Sequence, residues 1–135
     1  MATHTKNVPN IYHTEVKEWK SNLLFVDTEL HFIEQLIHSY VFEPKTPTLF
    51  ERLEYFKTQI LDIKEQHKKM QHLIINHDNE LGGIMECDDA QPLDASFEKK
   101  QLKISASYNQ FMTSYKTLKS EIFEYCGSIL KRNKK

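Results

Sequence analysis

The sequence predicts an all-α fold, an elongated up-down-up antiparallel three-helix bundle with a heptad-spaced core. Three long segments carry apolar residues at alternating intervals of four and three, which is the 3.5-residue period of helices that pack side by side. Short turn-forming stretches separate these segments. The chain has only three glycines and four prolines, too few for the many turns of an all-β fold.

The first segment predicts a helix over about 10–42, preceded by a flexible N-terminus over 1–9. We call the row of heptad-spaced residues expected to face the core the seam. In this helix the seam consists of Tyr12, Val16, Trp19, Leu23, Val26, Leu30, Ile33, Ile37 and Tyr40. Asn10 suits the N-cap position. Pro44 ends the helix, because the residue before a proline is pushed out of the α region.

The second segment predicts a helix over about 47–81. Two of its seam positions are histidines, and the full seam is Leu49, Leu53, Phe56, Ile60, Ile63, His67, Met70, Ile74, His77 and Leu81. Gly82 and Gly83 follow the last seam residue. Glycine readily adopts the left-handed conformation that ends many helices, so this pair predicts the C-terminal stop.

The start of the second helix carries two alternative capping signals. Thr46 can cap with Pro47 at the first helical position, or Thr48 can cap with Glu51 three residues later. In both cases the link over 43–47 is short. Helices one and two must therefore be antiparallel neighbours.

The third segment predicts a helix over about 94–132, with Asp94 or Ser96 as its cap. One seam position is glutamine, and the full seam is Phe97, Gln101, Ile104, Tyr108, Phe111, Tyr115, Leu118, Ile122, Tyr125 and Ile129. The preceding link is acidic from Glu86 to Asp94, and no role is assigned to it. It is too short for a fourth full helix. Since a chain of 135 residues is usually one domain, we expect residues 10–132 to form a single three-helix domain.

Helix one has a surplus apolar stripe. Phe25 and Phe32 occupy equivalent heptad positions beyond the seam, and Leu36 lies on the same flank. Two interpretations remain open. Either helix one is buried between the other two helices, or this flank is an interface with another subunit.

His67 is a polar interruption near the middle of the seam. With antiparallel hairpins it lies level with Val26 and Phe111, and Asp27 flanks the same level. One interpretation is a core histidine whose nitrogens bond a tyrosine hydroxyl and Asp27, since buried polar groups need partners. The other is a ligand-binding or proton-transfer residue.

A second polar layer is predicted at the end of the bundle near the acidic link. The same arithmetic brings His77 level with Gln101 and His13, with Asp78 close by. Imidazole and carboxylate are zinc-type ligands, so His13, His77 and Asp78 are weak metal candidates. Their spacing is not diagnostic. A solvated bundle end with ordinary polar residues is the alternative.

The sequence contains none of the common motifs for metal binding, nucleotide binding or hydrolysis. It contains no Glu-x-x-His or His-Glu-x-x-His metal motif, no glycine-rich phosphate loop, no Gly-x-Ser-x-Gly elbow and no Cys-x-x-Cys pair. A formal net charge of -1 argues against nucleic-acid binding. No apolar run approaches the roughly 20 residues of a membrane span, and no secretory signal is evident. We expect a cytoplasmic protein that binds neither nucleic acid nor membrane.

The function expected from these observations is that of a small non-enzymatic bundle acting through protein–protein contact or self-association. The contact surface is Phe25, Phe32 and Leu36 on helix one. The alternative is a metal- or small-ligand-binding bundle that uses core or end-of-bundle histidines. A weaker option is acid–base catalysis by His67 with Asp27. No catalytic residue and no cofactor are predicted.

Overall fold

Three helices follow one another along the chain, joined by the two links that the sequence predicts. The computed structural model describes residues 2–39, 42–86 and 95–133, and these ranges hold three α-helices and no strand. The helices are α1, Ala2–Ile37, α2, Pro47–Glu86, and α3, Ala95–Asn133.

Side-chain contacts fix the up-down-up arrangement. Asn22 and Glu29 of α1 bond residues of α3 that are each 86 positions later, so α1 and α3 run parallel. Between α1 and α2, Lys20 bonds Asp78 while Glu34 bonds the earlier residue Lys64, so these helices run antiparallel. The predicted antiparallel three-helix bundle is confirmed.

The core follows the predicted seam. Every seam residue from Val16 to Ile129 that the structure describes is buried. Tyr12 is half-buried, and Tyr40 lies outside the described residues. Apolar burial of this kind contributes roughly 25 cal/mol per Å², so the continuous seam is the main source of stability.

The bounds of α1 differ from the predicted 10–42. The helix begins at Ala2, so the backbone of residues 2–9 is helical and Asn10 is not an N-cap. Residues 2–8 contain no glycine or proline, whereas Pro9 is an interior helix proline, which lacks the backbone donor and is unfavourable at such a position. The helix ends at Ile37 because the chain tightens there, with Ser39 N–H donating to Leu36 O at 3.2 Å.

The start of α2 confirms one of the two capping signals. Thr46 is the N-cap, because its Oγ1 accepts a hydrogen bond from the backbone N–H of Leu49 at 3.2 Å, and Pro47 is the first helical residue. The helix does not stop at Gly82 and Gly83 but continues to Glu86. Neither glycine has a positive φ, since glycine permits the left-handed conformation without requiring it.

The start of α3 lies within one residue of the prediction. The helix begins at Ala95, so Ser96 is helical and is not the cap, while Asp94 lies outside the described residues. The end at Asn133 is likewise one residue beyond the predicted 132.

Candidate functional site

Three polar side chains are buried in the seam. His67 is 5% exposed, His77 is 3% exposed and Gln101 is 2% exposed. Burying a polar group is costly unless its donors and acceptors find partners. The partners of these three residues therefore decide whether each is explained by packing alone.

His67 is held by the backbone of α1. Its Nε2 lies 2.7 Å from the carbonyl oxygen of Leu23, so Nε2–H donates to that oxygen, and its ring lies 6.1 Å from that of Phe111. The level predicted for His67 beside Phe111 is confirmed. Its partner, however, is neither a tyrosine hydroxyl nor Asp27.

Asp27 does not belong to the buried polar set, which corrects the prediction. Its side chain is 51% exposed, and its Oδ1 lies 3.9 Å from Nδ1 of His31 on the same helix. The backbone carbonyl of Leu23 already accepts the hydrogen bond of His67 Nε2, and burying a carboxylate beside the ring would add a large desolvation cost.

His77 and Gln101 form a buried pair between α2 and α3, as their predicted common level requires. The Nε2–H of His77 donates to Oε1 of Gln101. The ring of Phe97 stacks on the imidazole, with centroids 4.6 Å apart and planes 16° from parallel. Two atoms of the pair, His77 Nδ1 and Gln101 Nε2, are buried without a hydrogen-bond partner among the described residues.

The three metal candidates do not converge on one point. His13 Nδ1 lies 3.6 Å from Asp78 Oδ1 at the outer edge of the bundle, and Lys20 bonds the same carboxylate. His77 instead pairs with Gln101. Across the described ranges, no group of three or more His, Cys, Asp or Glu side chains could hold a metal ion. Residues 87–94 of the acidic link lie outside those ranges.

Polar bridges cross the two grooves beside α1. On the α2 side, Lys64 Nζ lies 2.8 Å from Glu34 Oε1, and Lys20 bonds Asp78. On the α3 side, Asn22 donates to the Tyr108 hydroxyl at 2.8 Å. Such bridges span the flanks of a seam and shield it from water.

Glu29 forms a further bridge between α1 and α3. It accepts hydrogen bonds from the Tyr115 hydroxyl and from Lys119, the latter at 3.0 Å. Partial burial alone raises the pKa of the Glu29 carboxyl, but these two bonds outweigh it and lower the pKa. Burial and the neighbouring carboxylate raise the pKa of Tyr115. The tyrosine rings thus fill the core while their hydroxyls reach its rim.

The groove between α2 and α3 contains a cleft that the sequence did not predict. We call it the α2–α3 cleft. It has a volume of about 310 Å³ and is lined by Leu73, Asn76, His77, Glu80, Lys100, Lys103, Ile104 and Ser107. A shallower continuation shares Leu73 and Ser107 and reaches Ser114. Ser107 and Ser114 occupy equivalent heptad positions on the α2-facing flank of α3, and these two small side chains are the sequence signal that could have revealed the cleft.

The surplus stripe of α1 is on the surface. Phe25 is 63% exposed and Phe32 is 57% exposed, while Leu36 is half-buried against the core. Helix α1 is therefore not enclosed by the other two helices, and that interpretation of the stripe is wrong. Met112 of α3 is also partly buried against the core on the flank of α3 that faces α1.

Cys126 is a core residue rather than an exposed nucleophile. It is 5% exposed, and burial raises the pKa of its thiol to about 11. A thiol with that pKa stays protonated at neutral pH, and the thiolate is the reactive form.

Comparison of the chain with protein-family models, with curated proteins and with solved structures finds no match. Within the described residues, no helix is both long enough and apolar enough to cross a membrane.

Proposed function

We propose that this chain is a non-enzymatic helical-bundle protein that acts through protein–protein contact, and that it self-associates through α1. The observation that carries the proposal is the exposure of Phe25 and Phe32, 63% and 57%, on one flank of the same helix. Scattered exposed apolar residues are ordinary, whereas aligned aromatic ones on a soluble domain usually mark an interface.

The geometry of this flank suits a helix-to-helix contact. Phe25 and Phe32 are one heptad apart, which places them about 10.5 Å from one another along the axis. Ile11, two heptads before Phe25 in the same row, is 58% exposed. The exposed Glu18 separates Ile11 from Phe25 in this row, so the apolar part of the flank lies at Phe25, Phe32 and the half-buried Leu36. We call Phe25, Phe32 and Leu36 the α1 face.

The polar bridge beside the α1 face favours specific rather than indiscriminate contact. Glu29 lies between Phe25 and Phe32 in sequence and is held by Tyr115 and Lys119. Its carboxylate is thereby neutralised in place, so a partner meets aromatic rings without leaving an unpaired charge in the contact.

Light scattering and sedimentation over a wide concentration range test the proposal. We expect reversible association of the natural chain, and a monomer for the double variant Phe25→Ser/Phe32→Ser at the same concentrations. Circular dichroism should show equal helix content for both, because these side chains lie outside the core.

A matched control uses two exposed leucines on other helices, Leu61 at 67% and Leu102 at 70% exposure. The double variant Leu61→Ser/Leu102→Ser should associate like the natural chain. A natural chain that remains monomeric throughout, or equal association by both double variants, would overturn self-association through the α1 face.

A further inference from the structure

The surface around the α1 face continues onto α3. Phe32 follows Glu29 by three residues, and Glu29 bridges to α3, so the α1 face borders the groove between these two helices. On α3, Lys119 marks the flank that faces α1, because it bonds Glu29. Residues three or four positions from Lys119 lie beside that flank. Two of them, Lys116 and Phe123, are exposed, and the exposed fraction of Phe123 is 44%.

Residues of α1 and α3 can be compared by height, because the two helices run parallel. The hydrogen bonds from Asn22 and Glu29 to tyrosines of α3 each join residues 86 positions apart. A residue of α3 therefore lies at about the height of the α1 residue 86 positions before it. On this scale three residues of α3 lie within one position of a residue on or beside the α1 face. The pairs of equal height are Met112 with Phe25, Lys116 with Glu29, and Phe123 with Leu36.

The charged members of this set each have room for a further partner. Glu29 uses the same oxygen, Oε1, to accept from Tyr115 and from Lys119, and its Oε2 has no partner among the described residues. Lys116 is exposed and forms no ion pair within the described ranges. A carboxylate oxygen and an ammonium group therefore lie at one height on neighbouring helices, each able to take a partner of opposite charge.

We propose that two copies of this chain pack side by side and parallel, with α1 of each copy against α3 of the other. This inference rests on the proposed self-association and adds α3 as the second half of the contact surface. A two-fold axis along the helices brings residues of equal height together, and each contact occurs twice. Phe25 packs against Met112 of the second copy, and Leu36 packs against its Phe123. Both contacts remove apolar surface from water.

The charges fit the same arrangement. The ammonium group of Lys116 from the second copy donates to Oε2 of Glu29, and the alkyl stem of that lysine covers the ring of Phe32. A two-fold axis across the helices would instead pair α1 with α1 and α3 with α3. With the same apolar residues in contact, it would bring Lys116 close to its own copy, and like charges repel. The parallel arrangement is therefore favoured over the antiparallel one.

Sedimentation equilibrium of the natural chain and of α3 variants tests the contact surface. Phe123→Ser and Lys116→Glu should each raise the dissociation constant of the dimer at least about tenfold, because each substitution changes two symmetric contacts. The matched exposed substitutions Phe50→Ser and Lys99→Glu should leave the dissociation constant unchanged. All four side chains are exposed, so circular dichroism should show equal helix content.

The same measurement separates this inference from the proposed function. If the α1 double variant dissociates but Phe123→Ser and Lys116→Glu associate like the natural chain, self-association through α1 stands and the contact with α3 is overturned. A natural chain that stays monomeric at every concentration would overturn both.

Mixing two weakened variants tests the parallel orientation. Phe25→Ser/Phe32→Ser keeps an intact α3 surface, and Lys116→Gln/Phe123→Ser keeps an intact α1 face. In the parallel arrangement only the mixed dimer has one undamaged contact, so the two variants should associate with each other more tightly than either does with itself. In an antiparallel dimer each variant would keep one undamaged contact with itself and the mixed dimer would have none.

Heteronuclear NMR of the ¹⁵N-labelled α1 double variant measures this difference. We expect saturable shifts of its α3 residues on titration with the unlabelled α3 double variant, and smaller shifts at the same concentrations of unlabelled α1 double variant. Mixed association no tighter than self-association would overturn the parallel arrangement.

Discussion

His67 and His77 are buried histidines on the same helix and the same seam, yet they are accommodated in different ways. His67 donates to a backbone carbonyl of α1, which is fixed by its own helix. His77 donates to the side chain of Gln101, and each member of that pair keeps a buried nitrogen without a partner in the described structure.

The hydrogen bond to Leu23 accounts for the burial of His67, whereas the bond to Gln101 leaves part of the cost of burying His77 uncompensated. A carbonyl oxygen accepts two hydrogen bonds, so Leu23 can receive His67 without giving up its helical bond. The pair of His77 and Gln101 carries unmade hydrogen bonds that cost stability. The two unpartnered nitrogens, His77 Nδ1 and Gln101 Nε2, are also sealed from solvent.

The largest expected effect comes from breaking this pair. His77→Leu and Gln101→Leu should each lower the free energy of unfolding by about 1–3 kcal/mol, because each leaves the other side chain buried without its bond. The double variant should return to within about 1 kcal/mol of the natural chain, since it removes both polar groups together.

Urea unfolding of the four proteins measures this coupling directly. Additive losses in the double variant would mean that the two side chains are stabilised separately and that the pair is not the unit described here.

A second prediction extends the contrast between bonded and unbonded polar atoms to two tyrosines of α3. The Tyr115 hydroxyl donates to Glu29, while the Tyr125 hydroxyl is buried without a partner in the described structure. Tyr115→Phe should lower the free energy of unfolding by about 1–2 kcal/mol, and Tyr125→Phe should be neutral or slightly stabilising. Urea unfolding at neutral pH compares them, and an equal loss from both substitutions would contradict the distinction.

The effect of Tyr115→Phe should also depend on pH. The pKa of Glu29 is lowered in the folded chain, so its contribution is present above its ordinary pKa of 4.5. That contribution is lost as pH falls through the lowered folded value. The difference between the natural chain and Tyr115→Phe should therefore shrink on acidification, whereas the difference for Tyr125→Phe should not.

The smallest effect is expected at His67. Replacement by leucine, which has a similar size, should change the free energy of unfolding by less than about 1 kcal/mol, because the Leu23 carbonyl keeps its helical bond. Thermal and urea unfolding are the measurements, with His67→Ala as a control that creates a cavity and costs more. If His67→Leu lowered the free energy of unfolding as much as His77→Leu, the distinction drawn between the two histidines would be wrong.

The fold could be predicted from the sequence because all three helices carry apolar residues at the same heptad spacing. Val16 to Ile129 follow a period that only packed helices satisfy, and short links leave one simple arrangement. The register arithmetic also placed His77 beside Gln101. The helix ends were harder to predict. Gly82 and Gly83 can adopt the left-handed conformation that ends a helix but do not have to, and α2 continues past them. Nothing in the heptad pattern marks the end of α1 at Ile37.

The candidate sites were less predictable for a physical reason. His67 bonds a backbone carbonyl, and every residue has one, so no side-chain pattern could identify Leu23 as its partner. The small side chains of Ser107 and Ser114 are a sequence signal for the α2–α3 cleft, but they do not give the distance between the two helix flanks, so its volume could not be predicted.

The long helices give this chain more accessible surface than a compact protein of the same mass has. A compact monomer of 16.0 kDa has an accessible surface of about 7,400 Å², whereas this chain exposes 9468 Å². The length of the helices contributes to this difference, because a helix of 40 residues is about 60 Å long. The excess, about 2,000 Å², exceeds the roughly 800 Å² that each partner buries in a standard protein interface. This chain could therefore bury a standard interface against a second molecule and still have as much accessible surface as a compact monomer of the same mass.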